Sequence, residues 1–481
     1  MIHEAFAAQI ALEFEHPFTP SQTVAAQRLG QFLTDPRPMQ AFILRGYAGT
    51  GKTSLVGALV RVMRKLERNV VLLAPTGRAA KVFSNHAGTA AYTIHKMIYR
   101  QQAFRGEGTR FSLGYNKFPH TLFIVDEASM LANQGSGTSI FGTGLLLDDL
   151  VHYAYGADGC RVLVVGDTAQ LPPVGEEESP ALRADVLRAY GLHVGEADLT
   201  EVVRQSRGSD VLTAATRLRD LIAAGSTELP AIEGAEDGEV SFVPGSELVE
   251  ALVSSYQDFG TQDTIVVTRS NKRANIYNAG IRARIFDRED TLTRGDLVMA
   301  VKNNYHWAER QARQEEGSKP PFDFIANGDT AEVAAIRNFQ EAYGFHFADA
   351  TLRFPDYDGY ELDCRVLLDT LTSESPSLTK EESLRLYERV LQDYAHIPTK
   401  PERMKALRQD PYYNAVQLKY AYAVTCHKAQ GGQWARVFVD QGFVPPEQGG
   451  IPYLRWLYTA FTRTTERLLL VNWPKEQRRS E

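Results

Sequence analysis

The stretch Gly46-Tyr47-Ala48-Gly49-Thr50-Gly51-Lys52-Thr53 has the spacing G-x-x-x-x-G-K-[ST]. Glycines so placed let successive backbone N–H groups turn inward around phosphate oxygens, and a helix opening at Thr53 adds the positive end of its dipole. On this reading Gly46, Tyr47, Ala48, Gly49, Thr50, Gly51, Lys52, Thr53 and Ser54 cradle the phosphates of ATP. Lys52 reaches the β and γ phosphates, and the Thr53 hydroxyl binds Mg²⁺. Asp126-Glu127 closes an apolar run. There Asp126 is the metal-side carboxylate, and Glu127 positions or deprotonates the attacking water. Gln170 lies in the polar turn of Val164–Pro173, placed to report on the γ phosphate. A glycine turn or a solvated strand end would explain any one of these alone. Their common register with strand and helix favours the nucleotide reading.

Positioning these groups calls for buried parallel strands, which read as unbroken apolar runs. Ala41–Arg45, Val70–Ala74, Thr121–Val125 and Arg161–Val165 fit, with amphipathic crossovers such as Leu55–Arg68 between them. A second set follows at Thr264–Thr268, Arg436–Asp440 and Leu468–Asn472. The expected fold class is therefore α/β with two parallel-sheet domains. The first spans 1–205, the second 206–290 together with 415–481. Two insertions interrupt them. Residues 96–119 carry Gly106-Glu107-Gly108 between two short strands, a hairpin pattern. Residues 291–414 hold short strands at Asp296–Lys302, Asp329–Ala335, Ala350–Phe354 and Glu361–Asp369, a small β-barrel pattern, and then a charged helix over Leu378–Arg408. Ala132–Gly144, Gly225–Gly238, Arg313–Pro321 and Thr372–Ser377 read as loops.

Composition narrows the class. The 481 residues carry 52 Lys and Arg against 59 Asp and Glu, a net charge of −7. Three distant cysteines, Cys160, Cys364 and Cys426, suggest a reducing compartment with neither a disulfide framework nor a Cys-x-x-Cys metal cluster. No apolar run approaches a membrane span, and the first fifteen residues contain no Lys or Arg, so membrane and secreted classes are disfavoured and a cytoplasmic location is expected. Charge is uneven: residues 1–110 are net +8, residues 415–481 net +4 and the middle net −19. An acidic total thus leaves room for locally basic, phosphate-binding surfaces.

With these residues assembled, a resemblance emerges. Gly46–Thr53, Ile124–Met130 (IVDEASM) and Gly166–Val174 (GDTAQLPPV) are similar to helicase motifs I, II and III of superfamily 1. Leu199–Gln205 (LTEVVRQ), Ala423–Gly432 (AVTCHKAQGG) and Tyr458–Thr465 (YTAFTRTT) resemble motifs IV, V and VI. The His-Lys-Ala-Gln-Gly form of motif V points to the RecD/Dda-like branch, superfamily 1B. The resemblance implies two RecA-like motor domains with ATP between them. It implies adenine recognition by Gln22 in Phe18–Gln22, and γ-phosphate arginines at Arg204 and Arg463. It also implies a single-stranded DNA track. Thr76 and Arg78 match motif Ia, His95 and Lys96 motif Ib, and Thr425, His427 and Lys428 motif V; Thr268 and Asn271 follow a strand of the second domain. Hydroxyls and amines of this kind hold a phosphate backbone without reading sequence.

The hairpin stands where the family has its separation pin, with Phe104 and Phe111 beside the turn. The β-rich insertion resembles the branch's SH3-like subdomain, with Asn327-Gly328-Asp329 at a family position, and the helical stretch is similar to a Dda-type tower. The implied activity is ATP- and Mg²⁺-dependent DNA unwinding with 5′ to 3′ movement. The implied partners are single-stranded DNA and single/double-strand junctions, with single-strand-binding, replication or repair proteins as candidates; the implied state is a monomer. Three other readings stay open: an ssDNA translocase that strips proteins, an ATP-switched binding module, and a motor fused to a nuclease. RNA also remains open as a substrate.

Stacking on a base is worth roughly 1–3 kcal/mol, comparable with a duplex step of about 1.4 kcal/mol. Phe111→Ala is therefore expected to weaken duplex opening while sparing ssDNA-stimulated ATPase. Equal loss of both activities would count against a pin role.

Overall fold

The computed structural model describes residues 2–101, 111–134, 142–203, 209–314, 320–322 and 324–479. Phe104 and Arg204 lie outside the described residues, as does the side chain of Phe111.

The first domain is built on a six-stranded, wholly parallel sheet. Its order is Ala91–Thr93, Val70–Ala74, Leu122–Val125, Arg161–Gly166, Gln40–Gly46, His193–Leu199. The central strands are buried almost throughout, so they read as unbroken apolar runs. The strand His193–Leu199 was not legible as one: it is an edge strand of mixed burial, with Gly195 packed on Phe42 and acids at 196 and 198. Helices Pro20–Thr34, Lys52–Lys65 and Gly77–Ala87 cover one face with Leu29, Leu59 and Phe83; Leu147, Leu150 and Tyr153 pack on the other. The strands Tyr99–Gln101 and Phe111–Leu113 pair antiparallel, in the place expected for the hairpin.

The second sheet is also parallel, ordered Val240–Val243, Thr464–Val471, Trp434–Asp440, Thr264–Thr268, Ala423–Thr425. The insertion closes into a five-stranded barrel of Leu297–Ala300, Thr330–Ala342, Phe345–Phe354, Tyr360–Leu367 and Val416–Tyr420. One expected boundary moves as a result. Val416–Tyr420 pairs with Val298–Ala300 and with Val366–Leu367, so it belongs to the barrel rather than to the second domain. The continuous helix expected over Leu378–Arg408 is instead two helices, Lys380–Asp393 and Lys400–Gln409. They fold onto the barrel's Phe345, Phe347 and Leu367 through Leu386, Met404 and Leu407. Within the expected loop Gly225–Gly238, Ile232–Glu233 pairs with Arg478–Arg479.

Barrel and second sheet share one core. Ala350, Leu352 and Val366 belong to the same buried cluster as Val266, Val437 and Leu468. Only Ala421 and Tyr422 separate barrel strand Val416–Tyr420 from sheet strand Ala423–Thr425. At this joint Arg282, near the end of helix Asn271–Arg284, donates to both oxygens of Asp296 at 3.0 Å. Arg288 donates to Asp296 at 3.0 Å and to the Tyr422 hydroxyl at 2.7 Å. Removing one member of a buried pair strands the other's charge and costs about 3–5 kcal/mol. Asp296→Ala is expected to destabilise the protein by about that much in chemical denaturation, because two guanidiniums lose their shared carboxylate. A loss below about 1 kcal/mol would mean the joint is not held electrostatically.

Candidate nucleotide and nucleic-acid sites

The loop Gly46–Thr53 leaves the central strand Gln40–Gly46 and enters helix Lys52–Lys65, as the motif requires. Its glycines are structurally necessary. A Cβ at Gly46 would lie 2.7 Å from Thr50 Oγ1 and 2.9 Å from Lys52 Cγ, and Gly51 caps the helix at φ 82°. Thr50 is fully buried, its hydroxyl donating to the Tyr47 carbonyl at 2.8 Å. Lys52 folds back into the cradle, donating to the carbonyls of Gly46 at 2.6 Å and Tyr47 at 2.9 Å. Gln22, expected to recognise adenine, has its amide engaged within the protein. It sits at the third position of helix Pro20–Thr34, its oxygen accepting from Thr19 N and its nitrogen donating to the Thr50 carbonyl at 3.0 Å. It braces the loop from beneath and is 1% exposed.

The second domain reaches directly into this site. Tyr458, on helix Ile451–Phe461, accepts from Ala48 N at 2.8 Å and donates to Asp167 Oδ2 at 2.7 Å. The next residue, Thr459, accepts from Leu171 N at 2.8 Å, and Gln430 donates to the Leu171 carbonyl at 2.8 Å. Arg219 lies 4.8 Å from the Tyr47 ring centroid. Arg463, expected to face the γ phosphate, is 4% exposed and bonded within its own domain, to the carbonyls of Thr459 and Gly432 and to the Thr462 hydroxyl. A phosphate would have to draw it out of these contacts.

Asp167 is 1% exposed and 4.0 Å from the Lys52 amine. Burial raises its carboxyl above the ordinary range, and the charge of Lys52 opposes the rise. Asp126 is pushed up to about 7, first by burial and then by the neighbouring Glu127 charge. Glu127 holds a left-handed backbone, φ 50°, a conformation that costs about 1 kcal/mol or more in a non-glycine residue and clusters at functional sites. Paired carboxylates, only partly offset by the Lys52 charge, are hard oxygen donors of the kind that suit Mg²⁺. Among the described residues no group of three or more His, Cys, Asp or Glu could hold a metal alone. Gln170 is 7% exposed and its Oε1 has no protein partner. It shares a pocket of about 260 Å³ with Asp167 and Ser129.

Three bodies meet at the start of helix Gly77–Ala87. Thr76 caps it, accepting from Ala79 N. Arg78 donates to the Gln433 carbonyl at 2.9 Å and lies 4.1 Å from the Trp434 ring centroid in the second domain. Gly431 leaves room for Ala79, whose Cβ lies 3.0 Å from where a Cβ at 431 would stand. The barrel supplies Asp329, whose Oδ1 lies 2.4 Å from where a Cβ at Gly77 would be. Lys428 reaches Asn327, and Lys81 donates to the Pro355 carbonyl at 2.8 Å. Burial lifts Asp329 to about 7.

Thr76, Arg78 and Lys428 thus lie at this junction, with Thr425 preceding the short helix Cys426–Ala429 and His427 exposed on it. Asn271 is engaged by the Glu374 carbonyl. Thr268 must be withdrawn from the track: it is fully buried and its hydroxyl donates to the carbonyls of Ser270 and Val424. His95 rests on Tyr99 with ring centroids 5.6 Å apart, and Lys96 approaches the Pro321 carbonyl at 3.4 Å.

Sequence reasoning quoted Tyr458, Asp167 and Gln430 within motifs but gave them no role. Each acts across a domain boundary, which spacing does not reveal. Trp434 was missed in the same way, and Asp329, placed at a family position and at the head of an expected strand, was given no role.

Comparison with known proteins now bears on these sites. An AAA domain family matches residues 18–237, and a UvrD-like helicase C-terminal domain family matches residues 420–471, together more than half of the chain. The ATP-dependent RecD2 DNA helicase of Deinococcus radiodurans is 28% identical over 318 residues, which is 63% of this chain and 40% of that protein. The ATP-dependent DNA helicase dda of Enterobacteria phage T4 is 23% identical over 265 residues, 53% of this chain and 55% of that protein. The chain thus spans about half or less of the length of these two relatives. A solved structure of the Pif1 helicase from Bacteroides, in complex with ADP-AlF3 and ssDNA, aligns over 96% of this chain and 94% of that one, with TM-score 0.47 and 16% identity. By its two family matches and these helicase relatives, the chain belongs to the RecD/Dda-like helicases of superfamily 1B.

Proposed function

We propose that this chain is an ATP- and Mg²⁺-dependent helicase that moves 5′ to 3′ along single-stranded DNA, opening duplex by hydrolysing ATP between its two motor domains. The observation that carries the reading is the hydrogen-bonded chain from Ala48 N–H through the Tyr458 hydroxyl to the Asp167 carboxylate. It joins the phosphate loop to the second domain through one side chain, so a change at the loop is felt across the cleft. The polarity rests on family membership.

On ATP binding, Lys52 exchanges the Gly46 and Tyr47 carbonyls for β and γ phosphate oxygens. Thr53 and Asp126 would hold Mg²⁺, which would supply charge neutralisation for the phosphates. Glu127 orients the attacking water and Gln170 senses the γ phosphate. Arg204 and Arg463 supply positive charge to the transition state, a contribution of roughly 10³–10⁵ in rate in related phosphoryl transfers. Thr76, Arg78, Thr425, His427, Lys428 and Asn271 line the tracking strand. His95 and Lys96 contact nucleic acid beside the hairpin, which serves as the separating pin with Phe104 and Phe111. The barrel is SH3-like and backs the track. The protein acts as a monomer on single strands and junctions inside the cell, alongside replication or repair proteins. Among the described residues no helix is long and apolar enough to cross a membrane.

Strand displacement on duplexes with a 5′ or a 3′ single-stranded tail tests this reading. Opening of the 5′-tailed substrate alone, abolished by Lys52→Ala, is expected. ATPase stimulated by ssDNA without opening would shift the reading to a translocase, and absence of ATPase would overturn it.

Tyr458→Phe tests the coupling. A hydrogen bond to a charged group is worth about 1.5–3 kcal/mol. The variant should still bind nucleotide, while DNA-stimulated turnover falls by about tenfold or more. Unchanged turnover would remove Tyr458 from the coupling path.

A further inference from the structure

We propose that a groove along the edge of the first motor sheet holds a second length of single-stranded DNA, the strand peeled away at the hairpin. The proposal rests on the helicase reading above. The groove has a volume of about 890 Å³ and lies between the edge strand Ala91–Thr93, the root of the hairpin and helix His306–Gln314 of the barrel insertion. Three cations line it, Lys96, Arg100 and Lys117, and Glu309 is the sole acid among its described lining residues. His95 adds no charge at neutral pH, because burial takes it down to about 4. Two rings in the lining are open to solvent, Tyr92 at 38% and Phe118 at 40% exposure. The Lys96 amine lies 5.8 Å from the Tyr92 ring centroid. Cations interleaved with exposed rings suit a single strand of any sequence, since cations take the phosphates and rings stack on the bases. A duplex keeps its base faces inside and offers nothing to those rings.

Position selects which strand. The groove's far end reaches Asn69 and Thr121, at the amino ends of two parallel strands. Thr76, Asp126 and the phosphate loop stand at the carboxyl ends of the same sheet. At about 3.3 Å per residue the strand Val70–Ala74 sets these ends roughly 15 Å apart. The groove therefore leads away from the point where the tracking residues converge. Its hairpin wall draws on both limbs, with Tyr99 and Arg100 before the turn and Lys117 and Phe118 after it. A strand parted from its complement at the hairpin enters here, leaving the track to the other.

The test compares a 5′-tailed duplex with the same duplex carrying an added 3′ single-stranded oligothymidine arm. Parent protein is expected to open the forked substrate severalfold faster. Lys117→Glu and Phe118→Ala, both surface substitutions, should abolish that advantage while leaving ssDNA-stimulated ATPase unchanged. Retention of the advantage by both variants, or its absence in the parent, would overturn the proposal. A photoreactive thymidine in the 3′ arm, cross-linked to the full chain without ATP, gives a readout that does not require unwinding. Adducts mapping to residues 115–119 or 92–100 support the groove even if the helicase reading fails. Adducts there from the 5′ tail alone assign the groove to the tracking strand and refute the proposal.

Discussion

A single phenol holds the two halves of the motor in register. The Tyr458 hydroxyl accepts from a phosphate-loop amide and donates to a buried carboxylate, so it is fully used and fixed in orientation. Its partner Asp167 is also the nearest carboxylate to the loop lysine. An oxygen ligand arriving at the loop competes for Lys52, which alters the balance around Asp167 and hence around Tyr458. In a dry cleft such chains are strong when complete and costly when broken. Thr459 and Gln430 repeat the contact one step away through Leu171, so the cleft is closed by several polar bonds rather than by apolar packing alone.

The start of helix Gly77–Ala87 is the second place where everything meets. A helix amino end favours negative charge, and here an aspartate of the barrel lies against it. Asp329, when ionised, carries the same charge sign as a phosphate, and it occupies a place where a side chain on residue 77 would clash, which is why glycine is needed there. Arg78, stacked on Trp434, is held by the second domain at the same point. First domain, second domain and barrel are thus tied where the family resemblance puts DNA.

Much of this was legible beforehand, for identifiable reasons. Buried parallel strands such as Val70–Ala74 and Thr264–Thr268 announce themselves as apolar runs, and the structure places them within a residue or two. The phosphate loop announces itself because few sequences satisfy its glycine and lysine geometry. What failed was whatever depended on contact between distant segments. Thr268 has the right residue type for a phosphate contact, but its hydroxyl turns into the sheet. Gln22 has an amide suited to a base edge, but its helix cap and the Thr50 carbonyl engage both ends. Strand His193–Leu199 was invisible because edge position lets it carry charge. The barrel's closing strand was assigned to the wrong domain because two residues suffice to cross from one sheet to the next.

That short crossing makes the barrel part of the second motor in mechanical terms. Its core is continuous with the second sheet, and the Arg282–Asp296–Arg288 cluster clamps the joint at Tyr422 itself. Swivelling the barrel alone would tear a carboxylate from two guanidiniums in a dry setting, whereas tilting barrel and sheet together breaks nothing there. Were the second sheet to tilt about the nucleotide cleft, the barrel would move with it as a lever arm. A small tilt there would become a longer sweep at the helices Lys380–Asp393 and Lys400–Gln409, which ride on the barrel.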